Sequence, residues 1–243
     1  MKRSHLFFFK VANKFYTHLF SLYNPLYFFY KRISDKEVIT WLCDQIQPGM
    51  KVVDVGGNIV FYSILFSHLV GAHGLVHVFE PDPVNFKHLK ANTKGLKNML
   101  VNHYAVAGRC GMIRLFRSDE LNVDHQTYDI GENRNSIEVP CIALDDYFRH
   151  NECVDFIKMD IQGYEYHVLL GMKETIKRSH PIVIFSEFWP YGLRKAGSDA
   201  NEYLVLLKEM GFELKFWSKL EGVDCQEKCD DKNFYTNIYG TKK

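Results

Sequence analysis

The chain has 243 residues and a formal net charge of +1 at pH 7, with 24% charged and 47% hydrophobic residues. This composition is typical of a soluble globular protein and excludes a disordered chain or a strongly basic nucleic-acid binder. The length suffices for one sizeable core. We therefore predict one domain over residues 37–243, an N-terminal extension over residues 1–36, and no nucleic-acid partner.

The N-terminal extension is rich in aromatic and basic side chains. Residues 1–34 contain six Lys or Arg residues and no Asp or Glu. The longest uncharged stretch, Phe15 to Tyr30, is 16 residues long and includes polar groups and a proline, whereas a membrane-spanning helix needs about 20 apolar residues. We expect these aromatics to pack as helices on the domain or on a second subunit of a homodimer. The alternative is peripheral membrane contact through residues 1–34.

Six cysteines show no spacing typical of a disulfide framework. We expect free thiols and a cytoplasmic location, with membrane association if the extension binds lipid. Cys225 and Cys229 form a C-x3-C pair, but no second Cys or His pair accompanies them. The pair therefore indicates a surface loop or an opportunistic disulfide rather than a zinc site.

From Lys51 onward, short β-branched runs alternate with longer helical patterns. Strands are predicted at 51–55, 75–79, 100–106, 112–116, 137–142, 155–159, 181–186, 212–217 and 233–239. Helices are predicted at 58–70, 83–94, 164–176 and 199–210. The last two strands are expected to pair antiparallel, and the polar stretch 118–136 is predicted to be a mobile loop. This alternation predicts an α/β fold with a mostly parallel sheet.

Four of the apolar strand patterns finish on a carboxylate: Asp54, Glu80, Asp160 and Glu187. The ligand crevice of an open parallel sheet lies outside the carboxyl ends of its strands, so these acids are expected to converge on one rim. The alternative is that each acid caps the following helix. That alternative is weaker for Glu80, because Asp82 already supplies a cap.

The turn after the first strand carries Gly56 and Gly57, which allow a ligand to approach the backbone closely. The dinucleotide pattern G-x-G-x-x-G is not met from Gly56, since Asn58 and Phe61 stand at the later glycine positions. A cofactor with an ammonium, a carboxylate and a ribose therefore fits better than NAD. Asp54 would accept from the ammonium, backbone N–H groups would hold the carboxylate, and Glu80 would bind both ribose hydroxyls.

Five segments occur in the order VVDVGGNIVFYS, VHVFEPDPVNFKHLKAN, NHYAVAG, CIALDDYF and VDFIKMDIQGYEYHVLLGM. In this combination the chain resembles the FkbM family of methyltransferases over roughly residues 40–215. The resemblance implies a Rossmann-like class I methyltransferase fold, with a mostly parallel seven-stranded sheet and a C-terminal antiparallel strand. It also implies S-adenosylmethionine as donor and a hydroxyl acceptor on a sugar, a polyketide or a related small metabolite.

Several residues match the family pattern by position: Asp54, Gly56 and Asn58 in the donor loop, Glu80 as the ribose acid, Asp145 and Asp146 in the Leu-Asp-Asp turn, and Asp160, Gly163 and Glu165 after the fourth core strand. Two positions depart from it. Val60 replaces a glycine, and Gln162 stands where the family often has glutamate, which excludes a catalytic carboxylate there.

Transfer to a hydroxyl oxygen requires removal of its proton, and a carboxylate near the methyl group is the simplest base. Asp160 is the first candidate, followed by Glu187 and Glu165, although Glu165 is equally suited to capping the next helix. His103 and His167 are more typical of structural histidines. Asp145, Asp146 and Asp160 are carboxylates that Mg²⁺ accepts, but their spacing demands no ion, so no metal site is predicted.

Two other functional classes compete with methyl transfer. One is an NAD-dependent oxidoreductase on the same kind of sheet, and the other is a non-catalytic protein that retains the fold and binds a membrane or partner through its N-terminus. Contacts to the acceptor are expected from the loop at 118–136 and from the N-terminal segment. Neither carries a pattern that identifies the acceptor.

Overall fold

The computed structural model describes residues 20–118, 125–129, 134–149, 152–217 and 228–243, with side chains from residue 25 onward. In the described part of the N-terminal region, two helices, α1 (Phe20–Ser34) and α2 (Lys36–Gln45), precede the first strand. No helix within these ranges is both long enough and apolar enough to span a bilayer.

Ten strands follow: β1 (Lys51–Val55), β2 (Leu75–Phe79), β3 (Met99–Asn102), β4 (Ala105–Val106), β5 (Gly111–Phe116), β6 (Ser136–Ile142), β7 (Phe156–Met159), β8 (Ile182–Phe188), β9 (Glu213–Phe216) and β10 (Thr236–Lys242). Seven of them form the central sheet, in the order β3-β2-β1-β7-β8-β10-β9. Neighbours from β3 to β8 are parallel, and β10 is antiparallel to both β8 and β9. The predicted mostly parallel sheet with a C-terminal antiparallel strand is confirmed.

A second, three-stranded sheet has the order β4-β6-β5. It corrects the prediction of one strand over residues 100–106, because the chain leaves the central sheet after Asn102 and enters the small sheet at Ala105. His103 lies between the two strands, with Nε2 3.1 Å from the Pro81 carbonyl oxygen and its ring stacked on Phe86 at 4.4 Å. These contacts fix the turn that separates β3 from β4.

Within the described ranges seven helices connect the strands: α3 (Phe61–Val70), α4 (Pro83–Asn92), α5 (Leu144–Tyr147), α6 (Glu165–Leu170), α7 (Lys173–Arg178), α8 (Pro190–Lys195) and α9 (Ala200–Glu209). Asp82 caps α4 as its sequence position predicts, and Asp199, predicted as the first residue of a helix, is instead the N-cap of α9. The predicted helix over 164–176 is broken at Gly171, where a Cβ would lie 2.3 Å from the Ala107 carbonyl oxygen. The short helix α8 was not predicted.

The two faces of the central sheet carry separate hydrophobic cores, as the alternation of side chains along a strand requires. On β1, Val53 and Val55 join the core formed with α6, α7, α8 and α9. Val52 joins the core on the opposite face, formed with α2, α3 and α4. The sheet is therefore the middle layer of an α/β/α arrangement.

No disulfide bond joins the described cysteines, at positions 43, 110, 141, 153 and 229. Cys225, the other member of the C-x3-C pair, lies outside the described residues, as does most of the predicted loop at 221–231. The last strand begins at Thr236 rather than at residue 233, and its antiparallel pairing with β9 is confirmed.

Candidate active site

The site lies at the carboxyl ends of β1 and β7, where the strand order reverses direction and where ligands of open α/β sheets bind. Gly56 follows β1 with φ +85°, and a Cβ at this position would lie 2.3 Å from the Asp160 carbonyl oxygen. Only glycine therefore allows the loop after β1 to pass this close to the loop after β7.

Glu80 directly follows β2 and is almost completely buried beside this loop. Its Oε2 accepts from the Asn58 N–H at 2.8 Å, and its Oε1 accepts from the Asp82 N–H at 2.9 Å. Burial raises the pKa of Glu80 to about 7, although both backbone donors act in the opposite direction. The loop after β1 thus holds the Glu80 carboxyl group through the Asn58 N–H. The same carboxyl group is predicted to bind a ribose.

The N–H groups expected to hold a donor carboxylate are already occupied at Gly56 and Gly57, which both donate to the Phe79 carbonyl oxygen, and at Asn58. The following helix begins at Phe61 rather than at residue 58. Its N-cap residue, Val60, supplies no side-chain acceptor, so the first-turn N–H groups of α3 have no side-chain cap.

Val60 has φ +80°, a backbone conformation that glycine adopts more readily than a β-branched residue. This explains why the family pattern has glycine at this position. The Val60 side chain is fully buried in the core between the sheet and α3.

Asp54, which is predicted to contact a donor ammonium, has protein partners for both of its carboxylate oxygens. The side chain is fully buried, its Oδ1 lies 3.1 Å from Lys158 Nζ, and its Oδ2 accepts from the Ser63 hydroxyl at 2.6 Å. Asp54 and Lys158 are register partners on β1 and β7, so they project on the same face of the sheet. Lys158 and Ser63 therefore hold the Asp54 carboxylate in place.

Lys158 is a site residue that the sequence interpretation missed. Burial disfavours its charged form, but the carboxylates of Asp54 and Asp160 outweigh this effect and raise the pKa of Lys158 above its ordinary value. Its Nζ lies 4.0 Å from Asp160 Oδ2. The sequence offered one signal for this residue, namely a lysine within the otherwise apolar strand β7.

Asp160 and Glu187 lie together, as predicted, and Gln162 connects them. The Gln162 Nε2 lies 3.1 Å from Asp160 Oδ1 and 3.1 Å from Glu187 Oε2, so one amide donates to both carboxylates. Asp160 remains 44% exposed, which leaves it accessible to a substrate. Gln162 adopts φ +57° in the turn after β7, and this conformation directs the amide at the two acids.

Glu165, the third predicted catalytic acid, is fully buried at the start of α6, and its Oε1 accepts from the Ile161 N–H at 3.1 Å. Burial raises the pKa of Glu165 to about 7. In this placement Glu165 stabilises the turn after β7, and the N-cap residue of α6, Tyr164, makes no side-chain cap hydrogen bond. His167 likewise has a structural contact, with Nε2 2.8 Å from the Ala196 carbonyl oxygen.

The other two family aspartates lie at the beginning of α5. Asp145 accepts from the Thr175 N–H at 2.7 Å and hydroxyl at 2.8 Å, which fixes the start of α7, and Asp146 accepts from the Cys110 thiol. The parts of the chain that the structure describes contain no group of three or more His, Cys, Asp or Glu residues suited to a metal ion.

A narrow cleft opens beside the donor loop, lined by Val55, Gly56, Phe79, Pro81, Tyr104, Ala105, Val106, Thr127, Ile161 and Tyr164. The Thr127 hydroxyl is buried there without a hydrogen-bond partner among the described residues. A buried polar atom of this kind is satisfied by a ligand with a complementary group. Thr127 belongs to the predicted polar loop, whose composition alone did not single it out.

Residues 125–129 of that loop contact the turn after β7, since the Tyr128 hydroxyl donates to the Gln162 carbonyl oxygen. A larger groove of about 420 Å³ lies on the other side of Tyr164. It contains none of the predicted site residues.

The N-terminal helices contact the same site. The Tyr62 hydroxyl on α3 donates to Asp35 Oδ2 at 2.5 Å, and Asp35 pairs with Lys31 at 2.8 Å. Lys158 Nζ lies 5.3 Å from the centre of the Tyr62 ring, within the range of a cation–π contact. The junction between α1 and α2 is thus connected to the buried Asp54–Lys158 pair through one tyrosine.

Comparison with known proteins agrees with this geometry. The chain is 40% identical over 165 residues to the 31-O-demethyl-FK506 methyltransferase FkbM of Streptomyces tacrolimicus, an alignment that covers 54% of this chain and 62% of the relative. The chain thus spans less than two thirds of that relative's length.

Among solved structures, a Streptococcus mutans protein in complex with SAH has a TM-score of 0.53 at 10% identity, covering 86% of this chain and 97% of its own. Aeropyrum pernix fibrillarin in complex with S-adenosyl-L-methionine has a TM-score of 0.51 at 12% identity, covering 84% and 74%. At these identities the likeness establishes the fold. Because the Methyltransferase FkbM domain model matches residues 54–214, the chain belongs to the FkbM methyltransferase family.

Proposed function

We propose that the protein transfers a methyl group from S-adenosylmethionine to a hydroxyl oxygen of a sugar or another small metabolite. Family membership supports the donor, as does the fold shared with proteins solved with SAH and S-adenosyl-L-methionine. The name of the Streptomyces relative, a 31-O-demethyl-FK506 methyltransferase, supports an oxygen acceptor.

The residues around the cleft fit such a donor. Glu80 lies where it can accept from ribose hydroxyls, and Thr127 offers an unpaired hydroxyl to the ribose or the adenine. The uncapped N–H groups at the start of α3 suit the donor carboxylate. Asp160 and Glu187 supply negative charge at the same end of the sheet, where an ammonium group would be attracted.

The bound donor supplies a methyl carbon whose bond to the positively charged sulfur breaks as the acceptor oxygen attacks in line. The protein's own part is to position the acceptor and to take its proton. In this proposal the acceptor hydroxyl donates to Asp160, which receives the proton as the new carbon–oxygen bond forms. Gln162 holds the Asp160 carboxylate in place, and Lys158 keeps compensating charge 4.0 Å away.

The observation that carries this proposal is the cluster of Asp160, Gln162 and Glu187 beside the loop that contains Gly56. An exposed carboxylate held by an amide at this end of the sheet is well suited to act as a general base. A glutamate at position 162 would put a third negative charge in place of the bridging donor. Gln162 therefore supports catalysis without being the base itself.

The first test is calorimetric binding of S-adenosylmethionine and of NAD to the full chain, in which we expect binding of the former only. The second is release of S-adenosylhomocysteine in the presence of a panel of sugars and hydroxylated metabolites. Asp160→Asn should lower turnover by about 10²- to 10⁴-fold with little change in donor affinity. The exposed Asp44→Asn is the matched control. Near-normal turnover of Asp160→Asn would transfer the role to Glu187.

A further inference from the structure

The outer face of α1 carries an exposed apolar stripe. Leu26, Phe29, Tyr30 and Ile33 are 70%, 66%, 48% and 63% exposed. Their spacing of three, four and seven residues places them on one side of the helix. Large apolar side chains that are grouped and exposed in this way mark an interaction surface rather than ordinary surface variation.

The opposite face of α1 is already packed on the protein. The Phe28 ring meets Phe61 of α3 edge-on, with centroids 5.1 Å apart. Lys31 pairs with Asp35, which in turn accepts from the Tyr62 hydroxyl. These contacts fix the rotation of the helix about its axis, so the apolar stripe faces outward.

The charge carried by the N-terminal sequence favours an anionic surface. Residues 1–34 carry six Lys or Arg residues and no acid, and Arg32 lies within the last turn of α1 itself. Aromatic and aliphatic side chains on one face, accompanied by basic residues, are typical of helices that lie in the membrane interface. A second copy of the chain fits less well, because a symmetric contact would bring two sets of positive charges together.

We propose that α1 docks through Leu26, Phe29, Tyr30 and Ile33 onto a membrane surface that contains anionic lipid. The helix lies on the bilayer and does not cross it, in agreement with the lack of a span-forming helix in the described ranges. This inference goes beyond methyl transfer and does not depend on it. Because the inner face of α1 contacts α3, docking holds the donor loop close to the lipid surface.

The test uses sedimentation of the full chain with vesicles of phosphatidylcholine alone or mixed with phosphatidylglycerol. We expect binding to the mixed vesicles only, and weaker binding at high salt, because exposed charges are screened. The triple variant Leu26→Ser, Phe29→Ser and Ile33→Ser should bind at least about 100-fold more weakly, given the apolar area that each side chain would otherwise bury.

The matched control is Met112→Ser, Val205→Ser and Tyr235→Ser, which removes three comparably exposed apolar side chains elsewhere. It should bind vesicles like the wild type. Calorimetric binding of S-adenosylmethionine should be equal in both triple variants, which would show that each is folded. If the wild type itself does not bind S-adenosylmethionine, that result counts against the proposed function and not against docking.

Three results would overturn the inference. One is that adding phosphatidylglycerol to the vesicles does not increase sedimentation of the wild-type protein. Another is a control triple variant that loses vesicle binding equally. The third is a wild-type dimer that the α1 variant converts to a monomer in analytical ultracentrifugation, which would make a second copy the occupant of the stripe.

Discussion

At the scale of single residues, Glu80 is an acid whose function depends on its charge. Both of its oxygens accept from backbone N–H groups, and burial raises its pKa to about 7. In the proposed function, ribose hydroxyls donate to the ionised carboxylate, so donor binding would favour loss of the proton. Donor affinity should therefore fall as the pH drops through 7, with a Kd about tenfold weaker at pH 6 than at pH 8.

Isothermal calorimetry of S-adenosylhomocysteine across this pH range measures the effect, and Glu80→Gln is the control. The variant keeps the shape of the side chain but cannot titrate, while the ligand's own amino group titrates equally with both proteins. Wild type and variant should differ in slope below pH 7. If the plots of Kd against pH had the same slope for wild type and variant, Glu80 would not be a donor-binding residue.

Asp54 and Gln162 show what residue patterns leave undetermined. An acid after an apolar run indicates a strand-end carboxylate, yet Asp54 is neutralised by Lys158, 104 positions later in the chain. That pairing follows from the adjacency of β1 and β7, which the sequence does not state. Gln162 was correctly excluded as a base, but its bridge to two acids depends on a left-handed turn conformation.

At the scale of elements, the site depends on two loops that nearly touch. Gly56 has a positive φ, and a Cβ there would meet the Asp160 carbonyl oxygen at 2.3 Å. Gly56→Ala should therefore combine backbone strain with a steric clash and destabilise the protein by about 2–4 kcal/mol. Donor affinity should fall as well, because the loop must shift. Urea denaturation and calorimetry measure the two effects.

Gly95→Ala separates strain from clash. Gly95 also has a positive φ, of +100°, but among the described residues no atom lies within 4 Å of the place that a Cβ would occupy. This variant should cost about 1 kcal/mol and leave donor binding unchanged. If both variants behaved alike, the close approach of the two loops would not matter for the site.

Elements were predicted best where local signals and burial agree. Helix α4 begins directly after its predicted cap, Asp82, and α9 begins at Ala200, one residue after its predicted start. The split of residues 164–176 into α6 and α7 was missed, because Gly171 is required by the distant Ala107 backbone rather than by its own neighbours. Tertiary contact, not helix propensity, decides that boundary.

At the scale of the whole molecule, the alternation of strands and helices was enough to predict a mostly parallel sheet, and the closeness of the last two strand patterns predicted their antiparallel pairing. The strand order and the second small sheet could not be read in the same way, since they depend on which edges pair. The predicted boundary between residues 36 and 37 coincides closely with the start of α2 at Lys36. We propose that the cooperative folding unit begins with this helix.

Trp41 of α2 connects the N-terminal part of the chain to strands that come much later. Its ring centroid lies 4.8 Å from Tyr239, 5.4 Å from Phe185, 5.7 Å from Trp217 and 6.2 Å from Phe156. Trp41→Ala would leave a cavity among these rings and should lower the free energy of unfolding by about 3 kcal/mol. For a chain of this size the midpoint of thermal unfolding should fall by about 6–12 °C.

Tyr235→Ala is the control, because it removes an aromatic side chain that is 68% exposed and should change stability by less than about 0.5 kcal/mol. Differential scanning calorimetry of both variants should show one transition, lowered only in Trp41→Ala. A single transition that moves as a whole to lower temperature in Trp41→Ala would place α2 inside the folding unit. An unchanged transition in Trp41→Ala would instead mean that α2 unfolds independently, and the start of the methyltransferase unit would then lie at β1.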